Sequence, residues 1–388
     1  VTVDARSGDA LGPLTDGEHI VSVAFTDARG VTVIDQATFV VCTTLEPAYL
    51  RERSLSAPWD TSDAAVDVFG NTFTLGQPEA SDYTPKISKY NQIGKLVWSH
   101  TRWPSINTQT IAGVDTDSSG SVYFGFTTWD SVDGFSAKGY QDGYLSKFDA
   151  EGNWQWTRQY ASSYSDYVYD VHVDRDDNVY LSGVSGVSGW QLFVVKYSKD
   201  GILQWSRKYT LGYTDPGMSL VETDLNGNIY VASEMSGDFL VQKYTSSGSL
   251  VWTLQDGTEV NDFLSGIGID AFGNFYVTGG TNGAFPGYSN AGYVDSFLVK
   301  YDSQRSRKWV YQWGGSSYDY TYGVAVEPEG DAYVSAAGLT KFDKNMNRIW
   351  YQSYPSTGQI IDSNGQGHIY AFANGTINSF RDQRLPAI

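Results

Sequence analysis

Side chains able to do chemistry are few in this sequence and lie far apart. Its four histidines, His19, His100, His172 and His368, are the side chains that ordinarily titrate near neutrality, and each stands in a different stretch of the chain. His172 falls within Tyr169–Asp174, where apolar residues alternate, so it reads as a packed strand position rather than a base. Gly-x-Ser-x-Gly, His-Glu-x-x-His and phosphate-cradling glycine loops do not occur. No catalytic residue is assigned. The nearest approach to a metal site is Asp115-x-Asp117-x-Ser119-Gly120, which has the oxygen spacing of the first half of a calcium loop. Phe126 occupies the position where the bidentate glutamate belongs, so the competing reading is a plain acidic hairpin turn. Calcium at Asp115, Asp117 and Ser119 is the one cofactor considered, and no other is expected.

Paired carboxylates could also cleave glycosidic bonds. Most acids here recur instead: Asp67, Asp174, Asp224 and Asp270 hold the same place in a repeated motif. A position repeated along the chain builds scaffold, and a carboxylate beside a turn accepts hydrogen bonds from nearby amides.

The elements that position these residues follow from composition. Aromatic residues reach 15% and charged residues only 18%, and with 41 glycines this is strand-and-turn rather than helix composition. At about 150 residues per domain, 388 residues suggest two or three domains or one large all-β unit. The net charge of −18 argues against nucleic acid and anionic membranes, and fits cations or neutral ligands. No apolar run is long enough for a membrane-spanning helix. Cys42 is the only cysteine, so neither an internal disulfide nor a thiolate metal cluster forms. The chain starts at Val1 without a leader, which reads as a processed chain or a fragment.

Two motifs recur along the chain. Asp-x-x-Gly-Asn-x-Tyr, with variations, occurs seven times, at Asp67–Phe73, Asp117–Tyr123, Asp174–Tyr180, Asp224–Tyr230, Asp270–Tyr276, Glu327–Tyr333 and Asn364–Tyr370. Lys-aromatic followed by a tryptophan occurs six times, from Lys89-Tyr90…Trp98 to Lys341-Phe342…Trp350. The last copy, Ser379-Phe380, lacks both the lysine and the tryptophan. Each repeat reads as four short strands; in one, these are Gly266–Asp270, Asn274–Gly279, Ser296–Tyr301 and Arg307–Gln312. Such repeats predict an all-β, seven-bladed propeller of four-stranded antiparallel blades over residues 46–388, an open solenoid being the alternative. The strand at Tyr49 is expected to complete the last blade, which removes two sheet edges.

The segments DAFGNFYVTGGTNGAFP (Asp270–Pro286) and DSFLVKYD (Asp295–Asp302) resemble the bacterial seven-bladed β-propeller repeat family of secreted and surface proteins. Gly94–Trp98 and Gly201–Trp205 are similar to the blade-docking tryptophan element of quinoprotein-type repeats. Residues 1–45 differ, with strands expected at His19–Thr26, Val31–Ile34 and Ala37–Cys42. DGEHIVSVAFTDARG resembles the last half of a bacterial immunoglobulin-like module, which implies a partial β-sandwich whose Val21, Val23 and Phe25 face needs a cover. These resemblances imply a bacterial extracellular or cell-surface adhesion or structural module.

Loop lengths point to the binding face. The first-to-second and third-to-fourth turns are short, whereas Thr127–Gly143, Thr281–Val294, Tyr160–Tyr169 and Trp313–Tyr322 are long or variable and rich in aromatics. Variable loops on a repeat scaffold are where function sits. The candidate ligand residues are Trp129, Phe135, Tyr140, Trp190, Phe285, Tyr288, Tyr293, Trp313 and Tyr318. Asp166, Asp215, Asp262 and Asp319, each eight or nine residues before a motif acid, are expected as an acidic ring at the channel mouth. A competing reading has these aspartates bonding local amides and the aromatics packing the loops. The function expected is non-catalytic binding of a glycan or protein partner, including other copies or upstream domains of the same protein. The alternative is a carbohydrate-active enzyme, a polysaccharide lyase or hydrolase, with its site on the same face.

Overall fold

The computed structural model describes residues 62–76, 84–103, 106–186, 189–212, 217–353, 362 and 369–371 in full, and elsewhere only the course of the strands named below. The chain divides into two compact units, Val1–Glu52 with Phe380–Ile388 and Arg53–Ser379. In the first, Thr2–Asp4 runs parallel to Gly17–Thr26, which pairs antiparallel with Thr32–Val41. Thr32–Val41 is one strand where two were expected, because Asp35 and Gln36 pair across the ladder with Val23 and Ser22. The expected Val21, Val23 and Phe25 face concerns side chains outside the described residues.

The second unit is built of four-stranded antiparallel blades. The first is Thr61–Val66, Thr72–Gly76, Lys86–Tyr90 and Leu96–His100. The second is Thr108–Thr116, Val122–Thr128, Asp142–Phe148 and Trp154–Tyr160, and the third Asp166–Val173, Val179–Ser185, Trp190–Tyr197 and Leu203–Gly212. The fourth is Ser219–Thr223, Ile229–Met235, Asp238–Tyr244 and Leu250–Asp256. The fifth is Asp262–Ile269, Phe275–Thr281, Asp295–Tyr301 and Arg307–Trp313, and the sixth Gly323–Val326, Ala332–Ser335, Gly338–Phe342 and Arg348–Ser353.

The seven-bladed expectation is therefore corrected: among the described residues six blades are found, each of consecutive strands. Six is also the number of repeats that carry the Lys…Trp motif, which builds the third and outer strands. The last repeat, lacking that motif, contributes three strands of its own, Ile360–Ser363, His368–Ala373 and Thr376–Asp382. They form a remaining sheet in which Tyr49–Ser56, from ahead of the first blade, takes the fourth place. That sheet is composite rather than a seventh consecutive blade. Inner strands neighbour one another in chain order, and Ile360–Ser363 stands between Gly323–Val326 and Thr61–Val66.

The two motifs meet inside each blade. Asp117 Oδ1 accepts the amides of Ser119 and Ser121 at 3.0 and 2.9 Å, which closes the turn between the first two strands. Asp67, Asp174, Asp224 and Asp270 bond the amides two and four residues on in the same way. The next turn position lies at positive φ, filled by Gly120 at 77° and, where the repeat has aspartate, by Asp177 at 61°. The motif aromatic is buried, as in Phe73, Tyr123, Tyr180, Tyr230, Tyr276 and Tyr333. Each motif lysine lies over that ring, Lys147 Nζ 4.7 Å from the centre of Tyr123 and Lys243 Nζ 4.7 Å from that of Tyr230. The tryptophans are half-buried apart from the buried Trp350, and two of them bond the next blade: Trp98 Nε1 donates to Ala150 O at 3.1 Å and Trp205 Nε1 to Ser246 O at 3.2 Å.

Candidate functional site

Strands that alternate in direction put the second-to-third and blade-to-blade connections at one end of the blades. There, a second-to-third loop pairs with the connection that leads to the next blade. Gln141 bridges Ser165 and Val294 bridges Tyr318, both in parallel, at the second–third and fifth–sixth blade junctions. At both junctions the donating loop ends in the same sequence, Gly139-Tyr140-Gln141-Asp142 and Gly292-Tyr293-Val294-Asp295. Each residue has a separate physical task. A Cβ on Gly139 would stand 1.7 Å from Tyr164 O, and one on Gly292 2.3 Å from Gly315 O, so only glycine lets the loops approach. Asp142 Oδ2 accepts the Lys138 amide and the Gln159 side chain, each at 2.8 Å. Asp295 Oδ2 accepts the Ala291 amide at 3.1 Å and Gln312 Nε2 at 2.9 Å. The tyrosine between these anchors is left in solvent, Tyr140 at 79% and Tyr293 at 64% exposure.

This device was missed in the sequence, although the repeated Gly-Tyr-x-Asp was visible there. At the fifth–sixth junction it builds a platform. Tyr293 stacks on Tyr318 with ring centres 5.0 Å apart and planes 10° from parallel, and Tyr320 continues the array 6.3 Å from Tyr318. Beside it opens a cleft of about 280 Å³, lined by Tyr311, Trp313, Tyr318, Tyr320, Tyr322 and Arg348 among others.

The remaining candidates separate by burial. Trp129 is 44% exposed on the loop after the second strand of blade two. Phe135 and Trp190 pack partly buried on the apolar cores. Phe285 is buried against Phe297, and Tyr288 is half-buried with its hydroxyl donating to Val310 O at 2.9 Å, so both hold their loop rather than face solvent. Three of the four aspartates expected as a ring each tie down a loop amide four residues back. Asp166 takes Ser162 N at 2.5 Å, Asp262 takes Thr258 N at 2.6 Å, and Asp319 takes Gly315 N at 2.6 Å. Asp166 and Asp262 are buried at the starts of inner strands. Asp215 lies outside the described residues.

Asp115, Asp117 and Ser119 are engaged in hydrogen bonds within the protein. Ser119 Oγ donates to Asp117 Oδ1 at 2.6 Å, and Tyr123 OH and Lys147 Nζ reach Asp117 Oδ2 at 2.9 and 3.2 Å. Burial would raise the Asp117 pKa, but these donors hold it below the ordinary value. Asp115 turns away to accept Val173 N at 2.7 Å. Among the described residues no group of three or more His, Cys, Asp or Glu side chains is placed to hold a metal ion.

Asp115 belongs instead to a set lining the axis. Asp362 accepts Val66 N, Asp63 accepts Val114 N, Asp115 accepts Val173 N and Asp170 accepts Val221 N, at 2.9, 2.7, 2.7 and 2.8 Å. Each carboxylate thus bridges its inner strand to the next. His172 sits among them, its Nδ1 3.4 Å from Asp115 and 3.6 Å from Glu222, its Nε2 2.9 Å from Thr223 Oγ1. Burial first, then the neighbouring charges, pushes Asp63 up to about 7 and Asp115 up to about 8. Asp170 and Glu222 are raised well above the ordinary range for the same reasons. Burial lowers His172 to about 4.

Comparison with known proteins agrees with this architecture. Residues 155–189 match the family model described as Beta-propeller repeat, from the outer strand of blade two into blade three. An uncharacterized WD repeat-containing protein of Acanthamoeba polyphaga mimivirus is 25% identical over 168 residues, 43% of this chain and 10% of that protein. The Pan2 WD40 domain of Neurospora crassa superposes with a TM-score of 0.57 at 11% identity, covering 87% of this chain and 96% of that one. Streptogramin B lyase gives 0.55 at 10% identity, covering 84% and 94%. At such identities these likenesses concern the fold. The chain contains a β-propeller repeat and folds as a propeller of four-stranded antiparallel blades.

Proposed function

We propose that the chain is a non-catalytic binding module whose loop-rich end takes a glycan, in the extracellular or cell-surface setting that its repeats suggest. One observation carries this reading: the Gly-Tyr-x-Asp device holds a tyrosine in solvent at two blade junctions, with carboxylates and glycines spent on fixing it. Exposed, preorganised rings lose little entropy on binding, and their faces suit the C–H faces of sugars. The histidine and carboxylates that could do chemistry lie on the inner strands and bond the neighbouring blade, which supports binding over catalysis. The test is affinity electrophoresis of the full chain through gels holding neutral or acidic polysaccharides. Retardation that disappears in Tyr140→Ala/Tyr293→Ala supports the reading; equal mobility of both proteins in every gel overturns it.

A further inference from the structure

The cleft beside the tyrosine platform holds a cation that no described side chain neutralises. Seven arginines lie among the described residues. Arg102 pairs with Asp133 at 3.0 Å, Arg307 faces Asp256 at 3.6 Å, and Arg158, Arg175, Arg207 and Arg305 donate to backbone carbonyls. Arg348 differs. It lines the cleft, and its side chain has neither a hydrogen bond nor an ion pair with any described residue. Asp319, the carboxylate on the same cleft, is turned to the Gly315 amide at 2.6 Å. On a chain of net charge −18, anions are repelled in general, so one guanidinium with no partner among the described residues, set among aromatic walls, selects locally for a carboxylate.

We propose that this cleft binds a uronic-acid unit of a polysaccharide, its pyranose ring against Tyr318 and Trp313 and its carboxylate on Arg348. The inference rests on the glycan reading above and names the sugar class. The wall chemistry favours a sugar over an acidic peptide: tyrosines and a tryptophan supply flat faces with hydroxyl and indole donors at their rims, which match alternating C–H and O–H groups. The cavity volume of about 280 Å³ suits one or two rings rather than a folded segment.

The experiment is calorimetric titration of the full chain with a short oligogalacturonate, with its methyl ester, and with a glutamate oligopeptide of similar length. The acid is expected to bind about tenfold more tightly than the ester, the worth of one charge-assisted contact. Arg348→Gln should bring the two to equal affinity without weakening the ester, and Arg348→Lys should restore part of the preference. Equal binding of acid and ester by the unmodified chain overturns the uronate assignment while leaving the glycan reading standing. Tighter binding of the peptide overturns it in favour of an acidic protein segment. Binding of none of the three overturns the assignment, and the polysaccharide gels then decide the wider reading separately.

Discussion

Tyr293 lies in the second-to-third loop of the fifth blade and Tyr318 in the connection to the sixth, yet their rings stack with centres 5.0 Å apart. The contact follows from backbone geometry: Val294 bridges Tyr318, and Gly292 leaves room for the carbonyls of Gly315 and Ser317. Gly292→Ala should therefore part the loops, since its Cβ would lie 2.3 Å from backbone that a rotamer change cannot move. We expect a loss of roughly 1–3 kcal/mol in urea unfolding and faster proteolysis in residues 282–294. Unchanged stability and cleavage would show that the loops tolerate separation.

The blade scaffold depends on the aspartate–lysine contact. Asp224 holds the amides of Asn226 and Asn228 and lies 3.2 Å from Lys243 Nζ. Asp224→Ala strands the part-buried turn amides and Lys243, together with the buried Tyr230 hydroxyl, and should cost about 3 kcal/mol. Lys243→Met keeps the chain's apolar stem over Tyr230 and should cost about 1 kcal/mol. Equilibrium denaturation distinguishes them; equal losses would mean that the turn amides do not need the carboxylate.

Much of this scaffold was legible in the sequence, because a motif acid, an aromatic and a lysine recur at fixed spacing and strand pairing keeps that spacing. The blade number was misjudged because Asn364–Tyr370 repeats the first motif without the second. The site was less legible. Exposure of Tyr140 depends on the connection that runs beside its loop, and burial of Phe285 on Phe297 and Gln312, relations that local pattern does not carry. Asp63 and Asp170 each stand four residues before a motif acid, and Asp115, Glu222 and Asp362 each two before the motif position. That register was visible, but its convergence on one axis was not.

The axial cluster gives the protein an unusual pH dependence. With Asp63 raised to about 7 and Asp115 to about 8 from an ordinary 3.8, the folded chain keeps protons that the unfolded chain has released. Stability therefore falls as pH rises through about 7 and 8. His172, lowered from 6.5 to about 4, works oppositely: stability is lost only as pH falls from 6.5 towards 4. The melting temperature should thus be several degrees higher near pH 6.5 than near pH 9, and Asp115→Asn should flatten that decline. A flat or rising profile over this range would contradict the raised carboxyls.

The central claim is that exposed tyrosines fixed at blade junctions bind sugar. Glycan-array binding of the full chain, set beside a Tyr140→Ala/Tyr293→Ala/Tyr318→Ala variant of unchanged melting temperature, tests it most directly. The account predicts glycan signals for the unmodified chain that fall about tenfold or more in the variant. Signals of equal strength from the two proteins, or none from the unmodified chain, would contradict it.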